Sequence, residues 1–235
     1  RINAGMVGLV CFLTSKTILG ESFMQDYRIT FSKTGSLSFI SHLDFNHSFI
    51  RILKRAGLPL RYSEGFNPRP KIVFGLPLSV GMEGLNELVD ISLTEELSNE
   101  EVEKRLKEAM PPDITVKSVE TPLIKLKYIE LAEYEVFFPD YKADAAAIDA
   151  ALKNPPPVLK HSKSGEKLTE IAPMLRAYSV ETTDAGTLLH LTLTAYDSMY
   201  LKPDYVVDSL NAASLALPDD YSVVRTKILF KNPEK

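Results

Sequence analysis

The feature that most constrains this chain is one succession of strand and helix signals that runs through it twice. Residues 26–32 (DYRITFS) alternate as a strand, with Tyr27, Ile29 and Phe31 on one face and Arg28 and Thr30 on the other. Lys33-Thr34-Gly35 turns the chain. Ser41 and Asp44 then form a capping box for a helix whose apolar face is Phe45, Phe49, Ile52/Leu53 and Ala56, ended by Gly57 and Pro59. Runs at 71–80 and 87–94, separated by Gly81 and Gly84, predict a hairpin. Ser98-Asn99-Glu100-Glu101 opens a second helix that turns Val102, Leu106 and Ala109/Met110 inward; Pro111-Pro112 stops it, and 113–119 is a further strand. With a short extended stretch at 58–63 added, the order is β-α-β-β-α-β, the ferredoxin-like arrangement.

The second half repeats the order. A strand at 131–138 precedes an Ala-rich helix at 142–153, closed by Pro155-Pro156-Pro157; extended segments follow near 158–171, 174–183 and 187–195, then a helix at 203–213 and a strand at 221–230. The offset between halves is 105 residues for the first strand and the second helix, and 100 for the third long strand. No matching residues accompany it, so the repeat is one of pattern. The expected fold is α+β: two tandem ferredoxin-like (βαββαβ) domains with antiparallel sheets, at 24–120 and 129–235, joined by a linker at 121–128. A single larger α+β domain is the competing reading.

Composition narrows the class. With 45% hydrophobic and 25% charged residues, the chain of 235 has a globular composition, not a disordered one. Cys11 is the only cysteine, which excludes an internal disulfide, a Cys-rich zinc site and a cluster held by several thiolates. Met6–Leu13 is apolar, but eight residues fall far short of the ~20 that span a bilayer, and no A-x-A-like cleavage site follows. Residues 1–23 are therefore expected to be an extension outside the fold, with Met24 as the natural start and a cytoplasmic location. The net charge of −4 conceals an asymmetry: residues 1–80 carry ten Lys+Arg against four Asp+Glu, or +6, which leaves −10 for residues 81–235. A local basic face selects an anionic partner even when the whole chain is acidic.

Two segments concentrate that positive charge. On the first helix His47, Arg51 and Arg55 fall at i, i+4 and i+8, one stripe away from Phe45 and Phe49, with Lys54 beside it. Neighbouring cations repel, a cost that an anion laid across the stripe offsets; phosphate suits the Arg fork. The stretch from Leu58 to Lys71 presents Arg61, Tyr62, Phe66, Asn67, Arg69 and Lys71 on a loop stiffened by Pro68 and Pro70, with Gly65 supplying a tight turn. Such a loop stacks on bases while donating to phosphate. Lys33, at the end of the first strand, and His42, at the start of the helix, complete the candidate RNA-binding set. A solvated charged face and a stiff connector are the plain alternatives. The basic tip of Lys160, His161, Lys163 and Lys167 around Gly165 reads as a solubilising hairpin. The chain lacks G-x-G-x-x-G, P-loop, H-E-x-x-H and G-x-S-x-G signatures, and no metal site or cofactor is expected.

Several runs carry a resemblance: Tyr27-Arg28-Ile29-Thr30-Phe31-Ser32-Lys33-Thr34-Gly35, Phe39-Ile40-Ser41-His42-Leu43-Asp44, Arg55-Ala56-Gly57-Leu58-Pro59, Tyr62-Ser63-Glu64-Gly65-Phe66-Asn67-Pro68-Arg69-Pro70 and Leu76-Pro77-Leu78-Ser79-Val80-Gly81. Over residues 26–120 the chain resembles the radical-SAM-linked protein family, a domain of unknown function encoded beside or fused to a cobalamin-type radical SAM protein. The resemblance implies a partner more than a reaction. Beyond 120 it thins: where an Asp-Ile-Arg-Pro-like signature is expected, the chain reads Glu170-Ile171-Ala172-Pro173 and lacks the arginine. The tandem arrangement with histidines near its first helix also resembles the Cas6 class of CRISPR-RNA endonucleases. There His42 or His47 would deprotonate a ribose 2′-hydroxyl, with Lys54 or Arg51 stabilising the leaving phosphate. The Gly-rich C-terminal loop of that class is missing, since residues 166–235 contain only Gly186. The expected function is thus a non-catalytic accessory protein that binds RNA, of tRNA or rRNA type, and presents it to a radical SAM enzyme. A metal-independent RNA endonuclease is the alternative.

Overall fold

Strand β1 (Gln25–Lys33) follows its alternation, burying Tyr27, Ile29, Phe31 and, in the same phase, Lys33. A 3-10 turn at Gly35–Phe39 leads to α1 (His42–Arg55), where the Ser41 side chain accepts from the Asp44 N–H as the capping box requires. Phe45, Phe49, Ile52 and Leu53 are its buried face. Strands β2 (Ile72–Phe74) and β3 (Glu83–Leu93) follow, then α2 (Asn99–Ala109), capped by Ser98 on the Glu101 N–H, and β4 (Ile114–Glu120). The second half supplies β5 (Ile129–Pro139), α3 (Ala145–Lys153), β6 (Val158–Ser162), β7 (Gly165–Thr169), β8 (Leu175–Thr183), β9 (Gly186–Thr194), α4 (Pro203–Ala212) and β10 (Ser222–Phe230). The computed structural model describes residues 25–162, 165–196 and 199–231, so the expected extension at 1–23, Met24 and Lys163 lie outside the described residues.

The protein is a mixed α+β structure with a mainly antiparallel sheet. In the first half β1 lies between β4 and β3, and β2 pairs with β3, all antiparallel. In the second, β5 lies between β10 and β9, and β8 pairs with β9, again all antiparallel. Strands β6 and β7 form a separate two-stranded sheet inserted between α3 and β8. The hairpin expected over 71–80 and 87–94 is lopsided: β2 has only three residues, because 75–82 leaves the sheet and runs toward the second half.

Two tandem domains with their own sheets were expected; the structure joins them into one eight-stranded sheet, β4-β1-β3-β10-β5-β9-β8 with β2 also on β3. The seam is a short parallel pairing of β10 with β3, Val224 opposite Glu83 and Arg225 opposite Gly84. Two apolar cores remain, but Leu78, Met82 and Leu88 of the first half belong to the core of the second. The segment 121–128, expected as a linker, is packed rather than free. Leu126 is buried in the second core, and the Ile124 carbonyl accepts from Arg28, which also pairs with Asp90 and lies 5.0 Å from the centre of the Phe230 ring.

Candidate functional site

The candidate cationic residues separate into two environments. The first is an arm built from residues 60–71. It is narrow and braced: Leu60 bridges Leu93, Tyr62 bridges Pro70, the Arg61 N–H donates to the Ser92 carbonyl, and the Ser92 N–H donates to that of Lys71. Across the arm, the Lys71 N–H donates to Arg61 at 2.8 Å, the Ser63 N–H to Arg69 at 2.8 Å, and the Arg69 N–H to Ser63 Oγ at 3.0 Å. Gly65, at φ +116°, takes a conformation that side chains disfavour, and this closes the tip. Phe66 and Asn67 are exposed there, and Phe66 is in full contact with solvent. Arg69 and Lys71 are also exposed, while Arg61 is half-buried. The arm meets α1 where Lys54 Nζ lies 5.8 Å from the centre of the Tyr62 ring, close enough for a cation–π contact. His47 and Arg51 lie exposed on the same helix.

Two of the expected RNA contacts are occupied elsewhere. Arg55 donates through Nη2 to the Ala109 carbonyl at the C-terminal end of α2, so it ties the two helices together although it remains exposed with its stripe. Its approach is favoured by the partial negative charge of a helix C-terminus. Lys33 is 2% exposed, because it continues the inward phase of β1 beyond Phe31. Its ammonium lies 4.9 Å from the centre of the Phe45 ring.

Lys33 belongs to the second environment, a buried cationic seam between the halves. Gly84 is opposite Lys33 on β1 and opposite Arg225 on β10. A Cβ at position 84 would lie 2.3 Å from Glu87 Oε1, so glycine here leaves the space into which the Glu87 carboxylate folds, between the two cations. Arg225, fully buried, holds that carboxylate with both prongs: Nε to Oε1 at 2.9 Å and Nη2 to Oε2 at 2.5 Å. It also donates to the carbonyls of Leu76 and Pro77 in the segment that leaves the sheet. Burial opposes the Arg225 charge, but Glu87 outweighs it and holds the guanidinium above its ordinary pKa. Lys33 lines the same cleft as Glu87 without forming an ion pair with it among the described residues. Burial pushes its pKa down, Glu87 opposes this, and Arg225 adds to it. His42, half-buried with its ring edge-on to Phe74 at 5.3 Å, has its pKa lowered by burial, then by Lys33 and Arg225.

His42 and His47 therefore do not meet. Five residues apart on a helix, they point about 140° from one another; His42 faces the seam and His47 faces solvent. Lys54 is twelve residues beyond His42, about 18 Å along the axis, so the expected pairing of His42 with Lys54 does not form. Among the described residues no three His, Cys, Asp or Glu side chains gather to hold a metal ion. Glu87 and Arg225 were absent from the sequence-based set. Their signal was present: each is a charge in the apolar phase of a strand, Glu87 between Leu85 and Val89 and Arg225 after Val223.

These features define a class: a mixed α+β protein whose two halves lay their strands in the same order and share one sheet. Residues 26–203 match the family of uncharacterized proteins conserved in bacteria, DUF2344, and the chain belongs to that family. No curated protein sequence matches it. Among solved structures it is similar to a Cbf5–Nop10–Gar1 complex, at 14% identity and a TM-score of 0.43 over 88% of this chain and 50% of that one. It is also similar to a putative glycine cleavage system transcriptional repressor (13% identity, TM-score 0.25, 89% of this chain and 100% of that one). A third is the CRISPR endoribonuclease Cse3 bound to a 19-nucleotide RNA (11%, 0.20, 85% and 99%). The chain spans half the length of the first of these.

Proposed function

We propose that this chain is a non-catalytic accessory protein, built of two fused ferredoxin-like halves, that binds RNA through α1 and the 60–71 arm. The observation that carries the reading is Phe66, fully exposed at the tip of a proline-stiffened arm whose neighbours include exposed Arg69 and Lys71. A large apolar ring held in water by a rigid support is costly unless something covers it. Stacking on an unpaired base covers it, while Arg51, Lys54, Arg69 and Lys71 meet the backbone. The resemblance to radical-SAM-linked proteins supplies the second half of the reading: the bound RNA, of tRNA or rRNA type, is presented to a cobalamin-type radical SAM enzyme. One cysteine cannot supply the three thiolates that such a cluster takes from its protein. The acidic second half is the docking side for that enzyme, where Glu133, Glu135 and Glu181 line a face of the sheet around His190.

Filter binding against total small RNA tests the first part. Affinity should fall as salt rises, and an Arg51→Ala/Phe66→Ala/Arg69→Ala variant should bind far more weakly; wild-type binding by that variant would sink the reading. Incubating metal-free protein with structured RNA tests the endonuclease alternative, which gains only from cleavage that His42→Ala or His47→Ala removes. Co-purification with tagged protein, followed by identification of a radical SAM protein by mass spectrometry, tests the partnership.

A further inference from the structure

Three charged side chains meet at the seam, and only two of them are mutually satisfied. Both Glu87 oxygens are taken by Arg225, whose remaining contacts go to the Leu76 and Pro77 carbonyls. The side chain of Lys33, a residue 2% exposed, makes no hydrogen bond and no ion pair among the described residues; its ammonium has the Phe45 ring and a longer-range attraction to Glu87. An ammonium carries three donors. With its stem buried and no protein acceptor in reach, the ammonium depends on whatever enters the space beside it. The space beside it is a narrow cleft lined by Phe31, Phe45, Phe74, Leu76 and Leu78, together with His42 and with Glu87, whose carboxylate is already held by Arg225. That cleft encloses about 10 Å³, room for a single water or a single ligand oxygen.

We propose that this cleft is a phosphate-class oxyanion site, in which Lys33 receives one oxygen of a phosphate group while the rest of the group stays at the rim beside the His42 imidazole. The missing element is an acceptor, and a phosphate oxygen supplies both the acceptor and the charge that Glu87 has already given to Arg225. Aromatic walls exclude water from the contact and strengthen it. The site is independent of the arm: no residue is shared, and it takes the phosphate of a free phosphomonoester or of an RNA end by the same chemistry.

Histidine NMR of the full chain reads the site directly, because only four histidines contribute and His42 alone has Lys33 as a neighbour that lowers its pKa. Inorganic phosphate should raise the His42 pKa and move the His42 resonances more than those of the other three histidines. Lys33→Met should raise the His42 pKa without ligand and weaken the phosphate response by about tenfold or more, as losing one charge-assisted hydrogen bond implies. Its unfolding midpoint should hold or rise, since methionine keeps the packing on Phe45 and removes an unmatched charge. A purely structural lysine would instead lower that midpoint. His42→Gln gives a second route, read as a several-fold loss of phosphorus-31 line broadening. No His42 response to phosphate, an equal response in Lys33→Met, or an equal response to acetate would each overturn the assignment. Comparing a short RNA with a 5′-phosphate and one with a 5′-hydroxyl separates the sources. A response to the phosphorylated RNA stronger than to inorganic phosphate makes the occupant an RNA end; one no stronger makes it a free phosphate compound. Both support the site, and neither depends on whether the arm binds RNA.

Discussion

The arm and the seam are both cationic, yet water makes them different devices. Arg51, Arg69 and Lys71 lie in solvent, where each charge is hydrated and salt screens it. Their removal leaves the fold with little to repair. Lys33 and Arg225 lie out of water, where the same unit charge must be matched by a carboxylate, a carbonyl or a ligand. The contrast teaches that a count of basic residues over 1–80 adds together groups in opposite surroundings: some stay hydrated on the surface, and others are buried where the two halves meet.

The comparison is best broken at Glu87. Glu87→Gln should leave Arg225 buried without its carboxylate and cost about 3–5 kcal/mol in urea unfolding. Adding Arg225→Met to it should restore a large part of the loss. A single change that costs less than about 1 kcal/mol would mean that the seam is wetter than its burial indicates.

At the arm the ledger reverses. Phe66→Ala should shift stability by no more than about 0.5 kcal/mol, yet weaken RNA binding by about 1–3 kcal/mol. Arg51→Ala and Arg69→Ala should each reduce the logarithmic salt slope by about 0.7. Equal losses of stability and affinity would erase the distinction between the two regions.

Arg55 sharpens it from inside one helix. Arg55→Ala should cost about 1 kcal/mol of stability through its lost bond to the Ala109 carbonyl, with RNA affinity and salt slope little changed. Arg51→Ala, one turn earlier, should do the reverse.

The smallest effect is a pH dependence. The His42 pKa is lowered in the folded protein by burial and by the cations beside it, so the unfolded chain binds the proton more readily. The resulting stability is fully present above the ordinary value near 6.5, and it is lost as pH falls through the depressed folded value. His42→Gln should flatten that limb of the stability–pH curve while leaving the plateau near pH 8 in place.

Much of this molecule was written locally. Alternation placed Tyr27, Ile29 and Phe31 on one face, and the Ser41 and Ser98 caps fixed where two helices begin, because those signals involve residues within a turn of one another. The arm was legible for the same reason: Gly65, Pro68 and Pro70 act on their own backbone, whatever lies nearby. The union of the halves was not legible, since β10 meets β3 across 141 residues, through two residue pairs that carry no local signature. The seam was half-written. Lys33, Glu87 and Arg225 each sit in an apolar phase, which marks them as inward-facing, but a period of two says which face a side chain takes and not what it meets there. Only the tertiary structure sets Gly84 between Lys33 and Arg225, gives both Glu87 oxygens to the arginine and leaves the lysine ammonium without an acceptor among the described residues. The reason is physical: hydrogen-bond satisfaction in a low-dielectric interior is decided by distances between chain segments remote in sequence, and no local pattern encodes those distances.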